Sequence, residues 1–218
     1  MIERLETRKY TLTVEGETEH WYFHWLQAQI NACPNRTANA SIQAPVEQSP
    51  RKFYKRTTAR VTPMVYHICD VESADESHVK KFEGILAEMK EAQKQKGIQY
   101  CLGYSNFTFE LWMILHRENC RGPLTQRSQY LNLINKAYDE NFETLEKYKQ
   151  EGNFERCLSK IGLDDVRTAI QRANMITESN KTNGNPMRKY RGFAYYLDNP
   201  SLSVHEAVQM IMEECGVL

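Results

Sequence analysis

Short β-rich segments alternate with longer helical segments over the first hundred residues. Residues 9–14, 64–69 and 98–102 are apolar or β-branched runs of strand length. Between them, residues 17–30 and 75–94 repeat apolar side chains at three- and four-residue spacing, which is typical of amphipathic helices. Alternation of this kind builds a parallel sheet with crossover helices. The sequence therefore predicts an α/β fold with a parallel sheet flanked by helices.

The other elements are predicted from weaker patterns. Residues 39–46 are a possible short strand, residues 49–60 a basic helical segment and residues 107–116 a helix with Asn106 as its N-cap. Further helical patterns lie at residues 124–137, 142–150 and 164–178.

The C-terminal quarter is expected to hold a long irregular stretch and one more helix. Residues 179–200 are polar and carry no predicted element, so they are interpreted as a functional or mobile loop. The last helix is predicted to begin at Ser203, which forms a capping box with Glu206. We expect residues 1–104 to form the sheet core and residues 105–218 to pack on it as a helical C-terminal region, in a single domain overall.

Composition limits the possible partners and locations. The 218 residues are 41% hydrophobic, and 28 basic side chains balance 28 acidic ones, so no global charge attracts nucleic acid. The six cysteines are scattered and show no zinc-site spacing. The chain has no apolar run of about 18 residues and no signal-peptide pattern at its start, so we expect a cytoplasmic protein that does not enter a membrane.

Acidic side chains follow two of the predicted strands. Glu15 and Gly16 come directly after the first strand, and Asp70 and Glu72 follow the strand at residues 64–69. Carboxyl ends of neighbouring parallel strands lie about 5 Å apart at one edge, where these carboxylates would repel one another unless a cation lay between them. Oxygen ligands suit Mg²⁺ or Mn²⁺. The alternative interpretation is that these acids only cap the following helices and turns.

Glu110 is a further candidate because it is the only charged residue from position 100 to position 115. A buried carboxylate is costly unless it is paired, metal-bound or protonated. Glu110 is therefore either a site residue or a hydrogen-bonded acid that docks the helical region onto the sheet. His116 is interpreted mainly as a structural histidine, with catalysis as the alternative.

Two basic segments also contain aromatic residues, a combination that suits phosphate contact and base stacking. The alternative is that each is a solvated surface. The candidate nucleic-acid-binding residues are Arg51, Lys52, Lys55 and Arg56 in the first segment and Arg188, Lys189 and Arg191 in the second.

Several motifs resemble those of the RloB-like family, in the family's order and along almost the whole chain. VEGETE at residues 14–19 resembles the family's EGxTE opening, and SNFTFELWMILH at residues 105–116 resembles its SNPxFExWxLLH signature. NPS at residues 199–201 with VH at residues 204–205 resembles a C-terminal NPST-VH motif. HICDVES at residues 67–73 is similar to the DxD step of TOPRIM-like folds.

The resemblance implies a TOPRIM-like sheet in which Glu15 acts in acid–base or metal chemistry and Asp70 and Glu72 hold Mg²⁺. It also implies a role in prokaryotic restriction-linked or abortive-infection systems, with an ABC- or SMC-like ATPase as partner. This chain departs from the family pattern at Glu72, where Asp is usual, at Glu17, where lysine is frequent, and at Phe107, which replaces proline.

These observations together lead to one main hypothesis and two alternatives. The main hypothesis is a Mg²⁺-dependent TOPRIM-like nuclease that hydrolyses DNA or RNA as the effector of an antiphage defence system, with Glu15, Asp70, Glu72 and Glu110 as catalytic residues. The first alternative is a non-catalytic effector or adaptor that binds the ATPase. The second is binding of a nucleotide or phosphate without hydrolysis.

Overall fold

Four parallel strands form the central sheet in the order β2-β1-β3-β4. The computed structural model describes residues 5–56, 64–120, 124, 126 and 128–218. The strands are β1 (Glu6–Val14), β2 (Ala38–Gln43), β3 (Met64–Val71) and β4 (Gln99–Asn106).

Helices cover both faces of the sheet, so the predicted α/β fold with a parallel sheet flanked by helices is confirmed. The helices are α1 (Glu17–Ala32), α2 (Pro50–Arg56), α3 (Glu76–Lys96), α4 (Glu110–Arg117), α5 (Gln129–Tyr138), α6 (Leu145–Tyr148), α7 (Glu151–Leu158), α8 (Leu163–Thr182) and α9 (Val204–Glu214). None of the helices in the described part of the chain has the length and apolar surface that a bilayer crossing requires.

Each face of the sheet has its own apolar core. Leu12 and Ile68 point to the larger core, which holds α1, α4 and α9 and contains the fully buried Trp112. Val65 and Cys69 point to the opposite core, beneath α2 and α3. Because neighbouring side chains of a strand alternate between faces, this pattern places the even-numbered residues of β3, including Asp70, on the face that carries α1 and α4.

Strands β3 and β4 run further than predicted. β3 continues to Val71, so Asp70 lies inside the strand and pairs in register with Ser105 of β4. β4 continues to Asn106, and the helix predicted at residues 107–116 begins only at Glu110. The prediction of Asn106 as its N-cap is wrong, because this residue ends the strand and its side-chain amide donates to the Asp198 carbonyl at 2.9 Å.

The interpretation of residues 179–200 as an irregular loop is also wrong. Helix α8 continues to Thr182, and an antiparallel hairpin follows, formed by β5 (Met187–Tyr190) and β6 (Phe193–Tyr196). Its turn places Arg191 and Gly192 at positive φ, 53° and 98°. An Arg-Gly turn lacks the Asn-Gly signal by which tight hairpins are recognised, so the sequence pattern does not reveal it.

Ser203 occupies the N-cap position of α9, but the predicted capping box with Glu206 is not formed. The Ser203 hydroxyl instead donates to the Leu102 carbonyl at 3.0 Å and accepts the Tyr104 N–H at 3.1 Å. The segment before α9 therefore lies along the edge of β4, where Leu202 bridges Ser105.

The remaining helical predictions differ from the structure mainly at their ends. The pattern at residues 142–150 corresponds to the short helices α6 and α7, and that at residues 124–137 to α5. Residues 57–60 of the predicted basic helix and residues 125 and 127 lie outside the described residues. The division of the chain at residue 104 stays a prediction.

The free edge of β2 is covered by side chains of α1. The Asn31 amide accepts the Ala40 N–H at 2.8 Å and donates to the Ala40 carbonyl at 2.9 Å, while Gln27 accepts the Ile42 N–H. These bonds occupy backbone groups that a free strand edge would offer to another chain.

Replacing Asn31 by alanine should therefore lower stability and promote association through β2. We expect the free energy of unfolding to fall by about 1–3 kcal/mol, since two backbone groups lose their partners. Urea denaturation and light scattering at several concentrations would measure the two effects. The exposed Asn132 of α5 supplies a matched control in Asn132→Ala; equal behaviour of the two variants would contradict the covering role.

Candidate active site

Glu15 and Asp70 meet across neighbouring strands at the carboxyl edge of the sheet. Because β1 and β3 are paired in parallel up to Val14 and Ile68, Glu15 leaves β1 directly beside Asp70. The Asp70 backbone N–H donates to Oε2 of Glu15 at 2.9 Å. The structure thus brings together two residues that lie 55 positions apart in the sequence.

Glu19 adds a carboxylate that the sequence analysis did not select. It lies in the first turn of α1, is 4% exposed, and accepts the Thr18 hydroxyl at 2.9 Å through Oε2. A Cβ added to Gly16 would lie 3.1 Å from the same oxygen. Glycine is therefore suited to this position because the Glu19 carboxylate packs against it.

Glu110 is fully buried at the start of α4. Its Oε2 accepts the Thr108 hydroxyl, and its Oε1 lies 3.0 Å from Nζ of Lys149. Lys149 follows α6 and is 31% exposed. The buried charge of Glu110 is thus paired with a cation from the helical C-terminal region, so this carboxylate docks that region onto the sheet. Glu110 also lies close enough to Asp70 to raise its pKa, so it is part of the acidic cluster as well.

The surroundings of Asp70 are strongly unfavourable to its negative charge. Burial raises the pKa of Asp70 well above its usual value, and the carboxylates of Glu19, Glu15 and Glu110 add to the rise while Lys149 opposes it. Burial, helped by the charge of Glu110, likewise raises the pKa of Glu19 to about 6. Asp70 and Glu19 therefore hold their protons more tightly than ordinary carboxylates do, and a further cation in the cleft would oppose this.

Glu72 is placed differently from the other predicted acids. It borders the same cleft as Glu15 and Asp70, but its carboxylate forms an ion pair with Lys81 of α3 and lies 3.5 Å from Nε2 of His78. Its charge is therefore largely compensated by α3.

Five acids border an open cleft of about 370 Å³, together with Gly16, Thr18 and Lys149: Glu15, Glu17, Glu19, Asp70 and Glu72. An adjoining groove of about 440 Å³ runs from Glu15 past Lys81 to Lys52 of α2. A further cavity of about 490 Å³, between α8 and the Asn199–Pro200 loop, contains none of the predicted site residues.

The donor chemistry of the cleft fits a hard divalent cation, because its ligands are carboxylate oxygens and its negative charges outnumber the single lysine. Among the described residues, however, no three Asp, Glu, His or Cys side chains are arranged as a ready-made metal site. Binding of an ion would therefore require side-chain movement, for example release of the Asp70 N–H by Glu15.

The two basic segments both contact α3. In α2, Arg51 pairs with Glu91 at 2.7 Å and Arg56 lies 3.5 Å from Glu47, whereas Lys52 and Lys55 are exposed.

The second basic segment is the hairpin that follows α8. Arg188, Lys189 and Arg191 are exposed on it. The Tyr195 ring packs on Phe82 of α3 with centroids 4.9 Å apart, which fixes the hairpin to that helix.

His116 has a structural environment. Its Nδ1 lies 3.0 Å from the Trp112 carbonyl, which can only accept, so this nitrogen carries the proton. Its Nε2 then accepts the Tyr22 hydroxyl at 3.1 Å. Burial lowers the pKa of His116 to about 4, so it remains a neutral imidazole that links α1 to α4.

Comparison with known protein families agrees with these motifs. The family model described as RloB-like protein matches residues 10–211. The chain belongs to the RloB-like family. The match begins in β1 and ends in α9, so it includes every strand and helix that contributes to the cleft. No curated protein and no solved structure matches the chain.

Two cleft residues of this RloB-like protein were missed by sequence reasoning, Glu19 and Lys149. A signal for Glu19 was present, since it ends the EGxTE-like motif and lies in the first turn of α1, close to Glu15 at the end of β1. No local pattern marks Lys149, because its role depends on how the C-terminal helices fold back onto the sheet.

The raised pKa of Glu19 predicts a specific dependence of stability on pH. Because the pKa rises from 4.5 to about 6 on folding, the folded protein binds the proton more tightly, and stability falls as pH rises through this window. Glu19→Gln should remove that fall and gain about 1–2 kcal/mol at pH 7. Urea denaturation from pH 4 to pH 8 in the presence of EDTA would measure it.

The matched control is Glu143→Gln, at an exposed acid outside the cleft, which should show the same dependence of stability on pH as the wild type. A constant difference between wild type and Glu19→Gln across the pH range would contradict the assignment.

Proposed function

We propose that this RloB-like protein is a metal-dependent nuclease of the TOPRIM-like type, which hydrolyses phosphodiester bonds in DNA or RNA. The observation that carries the proposal is the convergence of Glu15, Glu19 and Asp70 in one open cleft at the carboxyl edge of a parallel sheet, with Glu110 paired beside them. Open α/β sheets bind their ligands at this edge.

In this proposal Glu15, Asp70 and Glu19 hold Mg²⁺ or Mn²⁺ at the cleft. A bound ion of this kind polarises a phosphate and lowers the pKa of a water molecule. Glu15 holds the Asp70 backbone in place and is within reach of the same space, so it is also the candidate to accept a proton. Glu72 is assigned a lesser part, because Lys81 already compensates its charge.

The biological setting is inferred from the family. We propose that the protein acts as an effector of a prokaryotic antiphage or abortive-infection system in the cytoplasm, together with an ABC- or SMC-like ATPase. Membership of the RloB-like family supports this setting.

A second candidate function is a non-catalytic effector or adaptor that binds the ATPase. Two observations favour it: the described residues contain no ready-made site for a metal, and the second acid of the DxD-like step is occupied by an ion pair. In that case the acidic cluster would serve only to hold the C-terminal helices against the sheet.

Cleavage assays separate the two functions. With plasmid DNA and total RNA in Mg²⁺ or Mn²⁺, we expect the wild type to cleave and Asp70→Asn to be slower by at least about 100-fold, because the central carboxylate of the cleft is lost. Glu72→Gln should lose less than about tenfold, since Lys81 already neutralises that charge.

Glu76→Gln is the matched control, because Glu76 is an exposed acid of α3 outside the cleft and should leave activity unchanged. Equal rates for wild type and Asp70→Asn on both substrates would refute the nuclease proposal and favour the adaptor.

The hairpin is proposed to contact the nucleic acid more than α2 does. Replacing Arg188, Lys189 and Arg191 by alanine should weaken binding of a single-stranded oligonucleotide. The slope of log K against log salt should also flatten by about 2, as expected for three lost phosphate contacts. Fluorescence anisotropy in EDTA at several salt concentrations measures both.

The comparison variant Arg51→Ala/Arg56→Ala should change the slope less, because these two side chains are engaged with Glu91 and Glu47. An unchanged slope in the hairpin variant would remove the hairpin from the proposed interface.

A further inference from the structure

Lys149 is the one basic residue among the described residues that border the acidic cleft. Its ammonium lies 3.0 Å from Oε1 of the fully buried Glu110, yet its side chain is 31% exposed. The cleft therefore already contains a cation of the chain itself, and this cation can reach solvent.

The backbone beneath this ammonium is firmly held. The Lys149 N–H donates to the Leu145 carbonyl at 2.9 Å at the end of α6. The preceding Tyr148 is fully buried, with its ring centroid 5.7 Å from that of Phe142 and 5.6 Å from that of Phe154. Only the flexible side chain of Lys149 is thus available to move.

The charge of Lys149 acts on more than its ion-pair partner. It opposes the rise in the pKa of both Asp70 and Glu19, so its ammonium lies within electrostatic reach of the whole cluster. A lysine in this position stabilises the ionised carboxylates in the way that a bound metal ion would.

We propose that Lys149 is a placeholder cation, which pairs with Glu110 when the cleft is empty and competes with a divalent cation for the acidic cleft. This inference rests on the cation site of the proposed function. Two positive charges in one partly buried cluster repel each other. A divalent ion that enters therefore drives the Lys149 side chain outward, and Lys149 sets the ion concentration at which the site fills.

Removing the placeholder should tighten cation binding, whereas losing an ordinary structural lysine would weaken or not affect it. In Lys149→Met the MgCl₂ concentration that gives half of the maximal rise in melting temperature should be about tenfold lower than in wild type, because one competing charge is gone. Lys149→Arg retains the charge and should stay close to wild type.

The control is Lys147→Met, which removes an exposed lysine of α6 outside the cleft and should leave the half-maximal concentration unchanged. All samples are compared at equal ionic strength, adjusted with NaCl, so that general screening is the same.

A second measurement uses the unaltered protein, so it does not depend on whether a variant folds. Limited acetylation with acetic anhydride, read by mass spectrometry, reports how accessible each lysine is. Addition of MgCl₂ should raise labelling of Lys149 several-fold and leave Lys147 unchanged.

The outcomes distinguish this inference from the proposed function. If Mg²⁺ stabilises the wild type but Lys149→Met needs the same or more ion, or if Lys149 labelling stays constant while the melting temperature rises, the placeholder role is refuted and the cation site stands. If Mg²⁺ stabilises neither protein, both the placeholder and the proposed cation site are refuted.

Discussion

The hydrogen bond between the Asp70 backbone N–H and the Glu15 carboxylate joins the ends of β1 and β3. It fixes where the first acid can lie, because a carboxylate that accepts this N–H must stay at the carboxyl edge of the sheet, beside the second acid. The strand pairing supplies the rest of the geometry, since Asp70 lies inside β3 and points to the face covered by α1 and α4. Glu19 and Glu110 then approach from the first turns of these two helices.

This arrangement concentrates negative charge in a partly buried space, where the carboxylates repel one another. Lysine side chains from distant parts of the chain reduce this repulsion. Lys81 of α3 compensates Glu72, and Lys149 after α6 compensates Glu110. Glu15 is held instead by a backbone N–H, and Glu19 by the Thr18 hydroxyl. Burial and the neighbouring carboxylates nevertheless keep the pKa values of Asp70 and Glu19 raised, and the neutral Thr18 hydroxyl offsets this rise for Glu19 less than a full positive charge in its place would.

Much of the fold could be predicted from the sequence, because apolar runs and helical periodicity depend on local residues. The alternation that predicted β1, β3 and β4 also predicted the shared edge on which Glu15 and Asp70 meet. Prediction failed where a distant segment decides the local structure. Asn106 continues β4 because the segment before α9 lies along it, with the Asn106 N–H donating to the Ser201 carbonyl at 2.9 Å. Ser203 bonds to β4 for the same reason, and Lys149 enters the cleft only through the packing of Tyr148.

The same reasoning explains why motif position alone is an incomplete guide to this cleft. The DxD-like step marks Asp70 and Glu72 as equivalent, yet the two lie in different environments: Asp70, inside β3, lies near three other carboxylates, and Glu72, just after the strand, pairs with Lys81. The acid that joins Asp70 in place of Glu72 is Glu19, which belongs to the first motif. Because α1 begins directly after β1, with Gly16 as its N-cap, the acids of its first turn lie at the same edge of the sheet as Glu15. The EGxTE-like segment therefore contributes three acids to the cleft, Glu15, Glu17 and Glu19, and its glycine leaves room for Glu19.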